Sequence, residues 1–186
     1  REGVSWGPNV DDHTIPISPI ISFAIGNVAD VPVIIGSNSD EGEVFIAMAE
    51  QLSGELTTLD YDFFVNKFAT GFGVEPAIIA NQYPIENYAD PARAISDILG
   101  DGGFICPART MARLLASTQD DIYLYHFTES FSLPDYPDLG AFHTAEIPFV
   151  FRSKYMGGQL MDEQLPLSKS MMNYWTRFAR DGNPNY

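Results

Sequence analysis

VPVIIGSNSDEGEVF, residues 31–45, carries the reading of the fold. Residues 31–35 form a compact, mostly β-branched apolar run closed by Gly36, the pattern of a strand buried on both faces. Asp40, Glu41 and Glu43 follow, and apolar residues then recur at helical spacing to about Glu50. Carboxylates are favoured in the first turn of a helix, where the backbone dipole presents its positive end. The stretch therefore predicts strand, turn and helix, with Glu41 on the turn.

A second strand is predicted at DIYLYHF, residues 121–127, followed by a long irregular segment that leads to His143. Between and around the strands the pattern is helical. Residues 1–30 are rich in Pro, Gly and Asp and read as loop with a short helix over 20–25. Helices are expected over 61–68 and 75–82, separated by the Gly71, Phe72, Gly73 turn. Asp90 before Pro91 is a strong helix start, a capping carboxylate followed by a residue with no N–H to leave unpaired. That helix is expected to stop at Gly100, and another over 104–117 puts Ala108, Met111, Ala112 and Leu115 on one face. The last helix, over 167–180, ends at Asp181 and Gly182 and is stopped by Pro184. The class is α/β and rich in helix. Two buried strands are too few for an independent sheet, so part of the fold is expected outside these residues.

The chain has 186 residues, 45% hydrophobic and 19% charged, a globular balance and not that of a disordered segment. Its formal charge of −15 repels phosphate backbones, which excludes nucleic acid as a natural partner. The acidic surface chiefly serves solubility. The most apolar stretch, residues 15–35, is interrupted by Pro16, Pro19, Asp30 and Pro32, so no membrane span is expected. Cys106 is the single cysteine and has no partner for an internal disulfide. Neither it nor the absence of a glycosylation sequon assigns a compartment.

No two of His13, His126 and His143 stand at helical ligand spacing, so no metal is expected. Gly100, Asp101, Gly102 and Gly103 link two helices, the wrong context for a phosphate loop, and no cofactor is implied. Acyl transfer is better supported. It needs a nucleophile, a base and an acid that orients the base, and α/β-hydrolases carry them in the order Ser, acid, His, with acid and base after strands of the sheet. Glu41 follows the first strand and His143 the second; Gly-x-Ser-x-Gly is absent from these residues. Taken alone, Glu41 reads as a surface charge at a helix start and His143 as a loop histidine. His126, between Tyr125 and Phe127, reads as structural, Glu146 as a buried structural carboxylate, and Tyr174, Trp175 and Phe178 as core. Phe131, Leu133, Tyr136 and Phe142 flank the base; Phe131 and Phe142 are the candidates for the wall of an acyl or alcohol pocket.

Five blocks, in order, carry a resemblance. Residues 31–45 resemble the acid motif of type B carboxylesterases and cholinesterases, and LGAFHTAEIPFVF, residues 139–151, resembles their histidine segment. GDGGFICPA at 100–108 and MNYWTRFARDGNPN at 172–185 are similar to two further signatures, and WGPNVDDHTIP at 6–16 to a fifth, with Asp12 where glycine is usual. The resemblance implies that residues 1–186 are the C-terminal portion of a single α/β-hydrolase domain: the last core strands and their helices, without the N-terminal sheet and nucleophile elbow. It implies triad acid Glu41, general base His143, a carboxylic ester substrate, no cofactor, and a nucleophilic Ser and oxyanion hole in the N-terminal remainder of the same protein. It also implies a further segment beyond residue 185, which in cholinesterases holds the disulfide partner of the cysteine matching Cys106. Neuroligin-like adhesion proteins share the fold and can keep acid and base while losing the serine. A binding protein of that kind, or an inactive esterase fragment, is therefore the alternative.

Overall fold

The computed structural model describes residues 9–185; Trp6, Gly7 and Pro8, at the start of the opening motif, lie outside that range. The helices are α1 (Pro19–Ala24), α2 (Glu43–Ser53), α3 (Thr58–Phe72), α4 (Pro76–Gln82), α5 (Pro91–Gly100), α6 (Cys106–Ala116), α7 (Ile147–Phe151) and α8 (Leu165–Asp181). The strands are β1 (Val33–Asn38) and β2 (Ile122–Phe127). They pair in parallel, from Val33 opposite Ile122 to Asn38 opposite Phe127. A parallel pair needs a long crossover, here the whole run α2 to α6.

Pairing moves β1 two residues along the chain from the expected segment: Pro32 has no N–H to give a ladder, and the register begins at Val33. Nor are the strands covered on both faces, as the apolar runs suggested. Most of their residues are half-buried, and Leu124 is 52% exposed.

Apolar side chains gather in two cores. One holds Val44, Phe127, Phe131, Leu133, Leu139, Phe142, Phe149 and Met171. The other holds Ile46, Tyr61, Val65, Ala94, Ile95 and Ile98, where α2, α3 and α5 meet. Helix α2 stands between them because Val44 and Ile46, two residues apart, point to opposite sides of a helix. Tyr125 against Trp175 and Tyr123 against Phe178 seat α8 on β2, with ring centroids 5.1 and 6.1 Å apart. Tyr174, expected in the core, faces outward on the same helix.

The expected break at Gly100 is not a break. Helix α5 passes through one π-helical segment, Asp101–Ile105, straight into α6, and the Cys106 N–H reaches back to the Asp101 carbonyl. Pro107 has no N–H for the carbonyl four residues earlier, which favours widening the turn over continuing a regular helix. The Gly71 turn is likewise absorbed: α3 runs on to Phe72 and ends where Gly73 takes the left-handed conformation, φ 68°. Its start is extended by Asp60, which accepts the Thr57 N–H at 2.8 Å.

Candidate active site

At the C-terminal ends of parallel strands the backbone leaves the sheet, and side chains there converge from segments far apart in sequence. The residues after β1 turn tightly into α2 through Ser39, Asp40, Glu41 and Gly42. Gly42 is needed in this turn because a Cβ there would lie 2.0 Å from the Ser96 carbonyl oxygen of α5. The turn is therefore pressed against the α5 backbone, which fixes the direction of Glu41.

Glu41 is buried and uses both carboxylate oxygens. Oε1 accepts the Asn38 N–H at 2.8 Å, and Oε2 lies 2.7 Å from Nδ1 of His143. The side chain of Glu41 is 7% exposed and that of His143 37%, so the carboxylate sits beneath an imidazole that still reaches the surface. With Nδ1 engaged, Nε2 is the nitrogen left for chemistry; among the described residues no hydroxyl or thiol is bonded to it. The Asn38 side chain braces the histidine loop, donating to the Phe142 carbonyl at 2.8 Å and to Glu146 Oε2 at 2.6 Å. Glu146 thus takes the structural role expected of it, though half-buried. Tyr125 lies nearby, and burial first, then the charges of Glu146 and Glu41, push its hydroxyl up to about 12.

Two residues at this site were missed by sequence reading. Phe104 and Phe45 pack on the His143 ring with centroids 4.7 and 5.2 Å away, and they stack on each other at 5.8 Å. Phe45 stands one helical turn beyond Glu41, a spacing that could have suggested it. Phe104 rides on the π-helical segment, and nothing in its local sequence announces that detour.

Phe131 and Phe142, expected on a pocket wall, are instead core residues, 1% and 0% exposed. They flank the histidine in sequence, but the chain alternates there and sends both rings inward against each other and Phe149. A side chain without accessible surface has no face for a ligand. His126 is exposed on β2, and His13 lies in an exposed loop beside Asp11; neither reaches the Glu41–His143 pair. Among the described residues no group of three or more His, Cys, Asp or Glu side chains could hold a metal ion. No described helix is long and apolar enough to cross a membrane.

An imidazole held at Nδ1 by a buried carboxylate can take a proton at Nε2 and return it, the working part of acyl transfer. Comparison with known proteins gives the family and the fold. The chain is 27% identical to the cholinesterase of Mus musculus over 203 residues, spanning 98% of this chain and 32% of that protein. It is 25% identical to human neuroligin-2 over 205 residues, spanning 100% of this chain and 24% of that protein. The solved carboxylesterase of Geobacillus stearothermophilus at pH 6.2 superposes with a TM-score of 0.74 at 24% identity, over 100% of this chain and 38% of that one. The chain thus spans about a quarter to a third of the length of these curated relatives, and its strands and helices are part of an α/β-hydrolase fold. The model of the carboxylesterase family matches residues 1–186 throughout, and the chain belongs to that family.

Proposed function

We propose that residues 1–186, as the C-terminal portion of a single α/β-hydrolase domain, supply the acid Glu41 and the base His143 of a serine carboxylesterase. The observation that carries this reading is the 2.7 Å contact between Glu41 Oε2 and His143 Nδ1 beneath a half-buried imidazole that reaches the surface. The serine and the oxyanion donors come from polypeptide outside these residues. His143 Nε2 takes the proton of the serine hydroxyl as the oxygen attacks the ester carbonyl, then gives it to the departing alkoxide. A water activated by the same nitrogen hydrolyses the acyl-enzyme. Glu41 keeps Nδ1 protonated and stabilises the imidazolium formed on the way. Phe45 and Phe104 limit ring rotation, so Nε2 stays aimed outward.

The match to neuroligin-2 over the whole chain favours a second reading, a binding protein that keeps acid and base without a reactive serine. Treating the complete protein with a fluorophosphonate probe separates the two. The esterase reading expects one labelled serine, with labelling slowed at least about a hundredfold by His143→Ala. A wild-type protein that folds and takes no label has no activated serine, and the binding-protein reading then stands.

A further inference from the structure

Asp40 stands immediately before the triad acid and makes more contacts across the site than any role as a surface charge requires. Its backbone N–H donates to the Ala141 carbonyl at 3.0 Å, and its Oδ2 accepts the Ala141 N–H at 3.0 Å. The same oxygen accepts the Ser39 hydroxyl at 2.6 Å. A parallel bridge pairs Asp40 with Phe142, the residue before the base. The acid loop and the base loop are therefore stitched together one residue ahead of Glu41 and one to two residues ahead of His143.

The stitch is held from behind. Asp40 Oδ1 meets Arg93 Nη2 of α5 at 2.9 Å, and the same guanidinium lies 2.9 Å from Glu43 of α2 and 3.3 Å from Asp97. Arg93 itself stands in the first turn of a helix capped by Asp90, so its fork is mounted on a fixed element. On the other side, Gly140 leaves room for the carboxylate. Its φ is +64°, and a Cβ there would lie 2.7 Å from Asp40 Oδ2. Burial works against the charge of Asp40, but the hydrogen bonds from Ser39, Arg93 and Ala141 outweigh it and hold the carboxyl below its ordinary value.

We infer that Asp40, with Arg93 as its counter-ion, is the positioning residue of the Glu41–His143 pair: its carboxylate clamps the two loops at the distance at which acid and base meet. This rests on the triad reading above. Asp40→Asn keeps the size but turns an N–H donor toward Arg93 or Ala141. In the complete enzyme it should lower kcat by between about tenfold and a hundredfold, the cost of an ångström-scale misplacement, with KM within about threefold. It should also abolish or broaden the far-downfield proton resonance of His143 Nδ1–H, which reports the contact with Glu41. Arg93→Lys leaves the Ala141 and Ser39 bonds in place and should show a smaller fall of the same kind. If Asp40→Asn does not fold, Arg93→Lys decides: wild-type kcat and resonance there overturn the clamp. A folded Asp40→Asn with wild-type kcat and resonance overturns it equally. Glu41→Gln distinguishes the two layers. If it is fully active the triad reading fails, whereas an inactive Glu41→Gln beside an unaffected Asp40→Asn sinks the clamp alone.

Discussion

Glu41 Oε2 and His143 Nδ1 lie 2.7 Å apart although 102 residues separate them in sequence. The parallel pairing of β1 with β2 makes the approach possible, since it brings Asn38 opposite Phe127 and lets both chains leave the sheet at the same end. The carboxylate is buried and the imidazole is not, so the pair has a fixed back and a working front.

Glu41→Gln should therefore do more than remove a charge. A glutamine can present its amide N–H to Nδ1 and so stabilise the tautomer with the proton on Nε2, which cannot accept one from a serine. The expected fall in kcat for a nitrophenyl ester is large, up to about ten-thousand-fold, with little change in fold. A loss under about tenfold, measured by steady-state kinetics on the complete protein, would leave Glu41 without its role.

His143→Ala should lower turnover of the same ester by at least about a thousandfold, while His126→Ala should change it by less than about tenfold. The two histidines belong to the same C-terminal edge of the sheet region, but His126 is exposed on β2 and makes no contact with Glu41. Equal losses in the two variants would count against the assignment of the base.

Ile95→Ala separates stability from chemistry. Ile95 has no accessible surface and sits in the core shared by α2, α3 and α5, away from the histidine loop. Truncating it should cost about 2–5 kcal/mol, read by urea unfolding, while the folded fraction keeps its kcat. A loss of kcat as well would show that the α5 packing governs the Glu41–His143 pair and not only stability.

Local signals made the strand–turn–helix at Glu41 and the Asp90–Pro91 helix start legible, because β-branched runs, caps and prolines act over a few residues. Glu41 and His143 are legible as a candidate acid and base only through the motifs that hold them. What sequence did not disclose were consequences of packing. The α5–α6 run looked broken at its glycines, but the π-helical segment bridges it and carries Phe104 onto His143. Phe131 and Phe142 looked like pocket residues because they flank the base, yet neighbours in an irregular segment can point either way, and here the core took both rings. Asp40 and Arg93 are 53 residues apart, and no local pattern joins them.

The clamp at Asp40 also has a pH signature. The carboxyl of Asp40 is held below its ordinary value of 3.8, so its folded form favours the charged state. A group with a depressed folded pKa contributes stability that is present above its unfolded pKa and is lost as pH falls through the folded one. The stability difference between wild type and Asp40→Asn should therefore shrink as pH falls below 3.8. Glu43 and Asp97 carry the opposite sign, because burial above all raises both, and their contribution is lost as pH rises instead. The charge of Asp40 helps to raise both, so the comparison reads the Asp40 carboxylate together with its repulsion of these two neighbours. Urea unfolding of the two proteins above and below pH 3.8 is the measurement. A difference that does not shrink below pH 3.8 would mean that the Asp40 carboxylate is not stabilised where it sits, and the ion pair with Arg93 would then not be what holds the two loops.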